Sequence, residues 1–170
     1  SRIAVGKWRP KESGEMQVVS GVFGREKVHF EAPDATRLES EMKQFLQWFN
    51  ERPSIDSVLK AGVAHFWFVT IHPFEDGNGR IARAIADMAL ARSDGTADRF
   101  YSMSSQIEVE RKEYYRVLEA AQRADVDITR WLAWFLDCLN RAIETADEEL
   151  ATVLNKAKLW QRVNTKPVNE

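Results

Sequence analysis

From about residue 34 onward the apolar positions of this chain recur at helical spacing; before that they do not. The pattern predicts a first helix from about Asp34 to Asn50, with Leu38, Met42, Phe45, Leu46 and Phe49 on one face. Ser54 reads as the N-cap of a second helix, Ile55 to Ile71. Its Val58, Leu59, Val63, Phe66, Trp67 and Val69 leave little polar face, so it should be central and buried. A third helix opens near Asn78 or Gly79, repeats Ile81, Ala84, Ile85, Met88 and Ala89, and ends at Asp94-Gly95. A fourth enters through Ile107 and runs to about Arg123. Asp127 caps a last helical region of more than 30 residues, striped by Trp131, Leu132, Phe135, Leu139 and Ile143, then Leu150, Val153, Leu154 and Trp160. Residues 145–148 are a candidate break in it.

The first 33 residues read differently. Met16 to Ser20 forms a short strand, Gly21, Gly24 and Arg25-Glu26-Lys27 a turn, and Val28-His29-Phe30 a return strand. A lone hairpin is marginal in water, so this one must lean on the helices. His29 reads as an ordinary strand residue. The expected fold class is mainly α, one domain over residues 1–170, with a helical core over about 34–165 and a β-hairpin at about 16–31.

Composition adds only bounds. With 170 residues, 44% apolar and 29% charged, the chain has the make-up of a single globular domain. A net charge of −2 gives no electrostatic case for nucleic acid. The lone Cys138 excludes an intrachain disulfide and reads as a buried apolar group. The longest apolar run, near Val63 to Ile71, is far short of the ~18 residues of a membrane span. Without a visible signal peptide, a cytoplasmic location is expected. Ser1 in place of methionine points to a piece of a longer chain.

Chemistry concentrates where the second helix meets the third, in Ile71-His72-Pro73-Phe74-Glu75-Asp76-Gly77-Asn78-Gly79-Arg80. Pro73 biases His72 away from the α region, which ends the second helix and leaves the imidazole at its tip. Two glycines then let the backbone approach whatever lies above it. The following helix start offers unpaired N–H groups and partial positive charge, which suit an anion. Arg80 and Arg83 share a face in the first turn, at the helix end where cations oppose the dipole. Two arginines there make sense if a polyanion neutralises them, and the guanidinium fork suits phosphate. Asp76 is a hard oxygen ligand of the kind that holds magnesium on phosphates. His72, titrating near neutrality, can take a proton from an attacking hydroxyl. The turn lacks the Gly-Lys-Ser/Thr of a Walker A loop, so it reads as a different phosphate cradle. His65 has no zinc-ligand spacing and reads as a hydrogen-bonded structural histidine.

His72 to Arg83, HPFEDGNGRIAR, resembles the signature HPFx(D/E)GNGRxxR of the Fic family at every specified position. The resemblance runs from about Trp8 to Trp160 and implies a Fic-type helical bundle with a hairpin flap. It implies transfer of AMP from ATP to a Ser, Thr or Tyr hydroxyl of a target protein. In that reading His72 is the general base, and Asp76 the ligand of magnesium. Asn78 with the Gly77 and Gly79 backbone forms an anion hole, Arg80 and Arg83 bind the β- and γ-phosphates, and Phe74 anchors the loop. Glycine at 79, where Doc-type relatives carry lysine, favours nucleotidyl over phosphoryl transfer. Tyr115 and Gln122, in EYYRVLEAAQ, match positions that line the base pocket, although Gln122 stands where asparagine is expected. The flap (Val19, Ser20, Gly21, Val28, His29, Phe30) would hold the target by strand addition.

Many relatives carry an inhibitory helix with S/TxxxE(G/N), whose glutamate pairs with the second motif arginine. No Glu here precedes Gly or Asn, so such a helix would have to come from outside residues 1–170, and Arg83 should be open. The same absence disfavours a de-AMPylase. A same-fold transferase with another nucleotide donor, and a non-catalytic nucleotide-binding regulator, are the alternatives.

Overall fold

The computed structural model describes residues 6–13, 16–20, 25, 27–52, 54–95, 99–124 and 126–164. Strands β1 (Gln17–Ser20) and β2 (Lys27–Glu31) are followed by α1 (Leu38–Asn50), α2 (Ser57–Ile71), α3 (Asn78–Asp94), α4 (Met103–Val109), α5 (Arg111–Arg123) and α6 (Thr129–Asn164). The hairpin and the mainly helical class match the expectation. Gly21, Gly24 and Glu26 of the expected turn lie outside the described residues.

Helix α2 is the hub, packed on α1, α3 and α6. Its Ala61, Ala64, His65, Phe68 and Ile71 are buried, together with Phe45 of α1 and Trp131 and Phe135 of α6. Close approach to α6 demands Gly62. A Cβ there would lie 3.0 Å from Leu132 Cδ2 and 3.1 Å from Phe135 Cδ1, and Trp131 Nε1 donates to the Gly62 carbonyl at 2.9 Å.

The structure corrects several local readings. Asp56, not Ser54, caps α2: its carboxylate accepts from Val58 N and Leu59 N, at 2.8 and 3.2 Å. Leu46 and Met88 face solvent; Trp48 packs half-buried in place of the first, and α3 buries Ala82, Ala86, Ala89 and Leu90 rather than Ala84 and Met88. The α3 face against α2 is thus made of small residues, which lets the two helices approach closely. The single helix expected through Ile107 to Arg123 is two. The break falls at Glu110, which turns to accept both Nε and Nη2 of Arg141 on α6, at 2.7 and 2.6 Å. Residues 145–148 do not interrupt α6, which is one helix of 36 residues. Cys138 is buried as expected, and burial pushes its thiol up to about 12. Among the described residues no helix is long and apolar enough to cross a membrane.

The hairpin pairs Val18 with Phe30 and Val19 with Val28, skipping His29. Such an irregularity re-aims a side chain, and here His29 and Phe30 both line the hollow between the hairpin and α5. His29 is therefore more than a strand residue. Its Nδ1 lies 2.6 Å from Glu119 Oε2, and Arg123 Nη2 donates to the Val28 carbonyl at 3.4 Å, fastening β2 to α5, while Arg123 also pairs with Glu119 along the helix at 2.9 Å.

Candidate active site

Helix α2 ends at Ile71, and His72 caps it in the left-handed region (φ 50°, ψ 58°). A proline after the cap disfavours continuation of the helix, and few residues other than glycine hold this conformation without support. Support comes from the far N-terminal segment. Buried Arg9 donates from Nε to the His72 carbonyl at 3.0 Å and from Nη2 to the Pro33 carbonyl, and its backbone N–H donates to the Pro73 carbonyl at 2.8 Å. Sequence reading missed Arg9; only the fold brings it to a turn 63 residues away.

The loop itself is closed by Asn78. Its Oδ1 accepts from Phe74 N (2.9 Å) and its Nδ2 donates to Phe74 O (2.7 Å), while the residue is almost fully buried. The Asn78 side chain is thus engaged within the turn, and what it can offer an anion is its backbone N–H at the start of α3. Phe74 packs against Phe68, ring centroids 6.4 Å apart, as an anchor should. Gly77 sits at φ 87°, where a side chain would be strained, and caps α3. A Cβ on Gly79 would meet nothing within 4 Å, so the space above the helix start is open.

That space is a hollow of about 380 Å³ that His72, Asp76, Gly77, Gly79, Arg80 and Arg83 all line. The turn therefore brings together the residues expected of it. Asp76 is mostly exposed: Oδ1 accepts from Gly77 N at 2.7 Å, and Oδ2 pairs with Arg80 Nη2 at 3.0 Å. Arg83 makes no hydrogen bond or ion pair with any described residue. On the opposite wall stand Glu108, Arg111 and Tyr115. Arg111, a third cation at the hollow, carried no sequence signal, because it sits among the charges of an amphipathic helix.

A second hollow of about 510 Å³ continues beneath the hairpin, sharing His72, Gly79, Arg83 and Tyr115 with the first. Val18, Val19, His29 and Phe30 line it, as does Gln122, which donates to Thr70 Oγ1 at 3.2 Å. Tyr115 and Gln122 thus line one hollow, adjoining the one above the start of α3. Val28 is exposed and does not line it; Ser20 lies on β1, and Gly21 is outside the described residues.

The electrostatics favour a neutral imidazole at the turn. Burial lowers the His72 pKa below its ordinary value; a bond from Nδ1 to the Val69 carbonyl (3.3 Å) opposes this and the Arg9 charge adds to it. A neutral ring donating from Nδ1 keeps its lone pair on Nε2. One layer deeper, His65 is fully buried with Nε2 3.1 Å from the Tyr114 hydroxyl, and desolvation pushes its pKa down to about 3. This bears out the structural reading of His65 and leaves the layer beneath Arg83 uncharged.

Among the described residues no group of three His, Cys, Asp or Glu converges as a metal cage. The donor set fits the way magnesium accompanies a polyphosphate, with one or two carboxylates and the remaining ligands from phosphate and water. Asp76, with Glu75 and Glu108, lines the hollow, and of the three it stands in the turn itself, paired with Arg80.

The comparisons agree with this geometry. The model of the Fic/DOC family matches residues 2–90, which is 89 of the 170 residues. The protein adenylyltransferase fic-1 of Caenorhabditis elegans is 30% identical over 127 residues, 74% of this chain and 23% of that protein. The protein adenylyltransferase Fic of Drosophila mojavensis is 29% identical over 148 residues, 84% of this chain and 26% of that one. The chain thus spans about a quarter of the length of these curated relatives. A Fic family protein from Desulfovibrio desulfuricans G20 superposes with a TM-score of 0.67 at 28% identity, covering 86% of this chain and 41% of that one. A Fic domain-containing signaling protein from Bacteroides thetaiotaomicron VPI-5482 shares the fold, with a TM-score of 0.61 at 22% identity, covering 85% of this chain and 55% of that one. With the motif complete, its turn built around one hollow and the family model spanning half of its length, the chain belongs to the Fic/DOC family.

Proposed function

We propose that this domain transfers AMP from ATP to a hydroxyl of a target protein. The observation that carries the reading is the single hollow in which the His72 ring, the open N-terminus of α3, Arg80 and Arg83 meet. Two relatives named protein adenylyltransferases support the donor and the reaction class.

In this mechanism the α3 N–H groups, Arg80 and Arg83 hold the donor's phosphates, and the sub-hairpin hollow takes its base against Tyr115 and near Gln122. The target hydroxyl attacks the α-phosphorus while His72 Nε2 accepts its proton. The bond from the α-phosphorus to the bridging oxygen breaks, and pyrophosphate leaves with the negative charge that the arginines face. Magnesium, held by Asp76 with phosphate oxygens and water, would neutralise charge on the phosphates when bound. Most of the acceleration asked of the protein is positioning, which suits a turn fixed from beneath by buried contacts.

The target strand is proposed to add to β1. That strand has β2 on one side only, and its exposed Val19 borders the second hollow. Arg83, without a carboxylate partner among the described residues, leaves the γ-phosphate position open, so the 170-residue chain should be active without release from an inhibitory helix.

The test uses ATP labelled on the α- or the γ-phosphate, with the protein, magnesium and a lysate. Label should enter protein from the α position alone; entry from the γ position would make the enzyme a kinase, and entry from neither would remove the transferase reading. UTP and GTP in the same assay decide the donor base.

A further inference from the structure

The distal half of α6 leaves the body of the domain. From Ile143 to the helix end at Asn164 it runs about 33 Å at 1.5 Å per residue. Leu150, Val153 and Trp160 are 48, 61 and 66% exposed, so no described part of the domain covers them. These side chains are not scattered. Ile143, Ala146, Leu150, Val153, Ala157 and Trp160 follow one another at alternating spacings of three and four, the 3.5-residue seam of a two-helix coil.

Charge is segregated along this stretch: Glu144, Asp147, Glu148 and Glu149 precede the seam's midpoint, and Lys156, Lys158 and Arg162 follow it. Of these, Asp147, Glu149 and Lys156 flank the seam itself and the rest lie on the outer face. A second copy lying parallel would set acid against acid and base against base. A second copy lying antiparallel sets each acidic half on the partner's basic half, around a two-fold axis between residues 151 and 152. In that register Leu150 meets Val153 of the other copy, and Ile143 meets Trp160. Glu149 flanks the seam opposite Lys156, and two-fold symmetry makes this pair twice.

We propose that the distal half of α6 is a self-complementary arm by which two copies of this chain pair antiparallel, with their catalytic bodies at opposite ends of a two-helix rod. The occupant is the same segment of a second chain. The inference is independent of the reaction catalysed.

The experiment is analytical ultracentrifugation of the 170-residue chain from about 1 to 200 µM. Glu149→Lys, Lys156→Glu and the double swap are run beside it, all at exposed positions that leave the core intact. The expected result is a concentration-dependent dimer, weakened about tenfold or more by either single reversal and restored by the swap. Val153→Asp should leave only monomer with unchanged circular dichroism. A chain that stays monomeric to 200 µM overturns the proposal. So does a dimer that the swap fails to restore, because only antiparallel self-pairing returns each charge to an opposite one.

Discussion

The two walls of the joined hollows are built by opposite means. The wall between α2 and α3 is fixed from within: Asn78 closes the loop with two hydrogen bonds to Phe74, and a buried arginine holds the carbonyl of a left-handed histidine. The wall of hairpin and α5 is fastened by contacts nearer the surface, His29 to Glu119 and Arg123 to the Val28 carbonyl. Buried polar contacts hold one geometry, whereas contacts open to solvent contribute less, about 0–1 kcal/mol for an exposed ion pair, and rearrange readily. A rigid wall suits a reaction whose atoms must be placed to within a fraction of an ångström, and a loosely held wall suits admission of a protein strand. Under the proposed function, chemistry belongs to the first wall and selection of the target to the second.

Substitutions sharpen that division, beginning with the largest effect. Arg83→Ala removes a cation from the phosphate cradle. It should lower transfer about 10²–10³-fold in α-labelled ATP assays without changing the melting temperature by more than a degree or two. An unchanged rate would move the phosphates elsewhere. Arg9→Gln loosens the His72 carbonyl without touching any line of the hollow. It should reduce kcat about 10-fold or more while leaving ATP affinity within twofold, and equal loss of both would show a merely structural role.

The core under the rigid wall gives a pH signature. His65 titrates at about 6.5 when unfolded and at about 3 when folded, so below pH 6.5 the unfolded chain takes up a proton that the folded one refuses. Stability should be full above that pH. Between pH 6.5 and 3 it should fall by up to about 1.4 kcal/mol per unit from this group, measured by urea unfolding. His65→Gln should flatten that slope. A slope the mutation does not alter would remove His65 as its source.

The smallest effects belong to the other wall. Glu119→Gln should raise KM for the target protein a few-fold and leave the chemical step unaltered, because it weakens the hairpin's attachment. A drop in kcat of tenfold or more would mean that the hairpin belongs to the rigid wall after all.

Legibility in the sequence followed the same division. The turn announced itself because its determinants are local: a proline after His72, glycines at 77 and 79, and two arginines one turn apart. The helices were visible from periodicity, with misplacements where tertiary packing decides. Leu46 and Met88 fit a stripe that the neighbours do not cover, and Glu110 breaks a helix to meet Arg141 on α6. Asp56 displaced Ser54 as a cap because its carboxylate reaches two N–H groups of the helix that starts beside it. Arg9, Arg111 and the His29–Glu119 pair were invisible for a different reason. Each acquires its role from residues distant in sequence, and a lone charged residue carries no trace of its partner.

The most direct test of the central claim, that one hollow holds both the phosphates and the proton acceptor, separates binding from chemistry at His72. Titration calorimetry and intact-mass spectrometry are run on the parent and on His72→Ala, with ATP and magnesium. ATP affinity should stay within about threefold and AMP incorporation should fall about 10²–10⁴-fold in the variant. Parent activity should fall on acidification only at a pH below the ordinary histidine value, since burial lowers the His72 pKa. Full AMP incorporation by His72→Ala, or loss of ATP binding with it, would contradict the account.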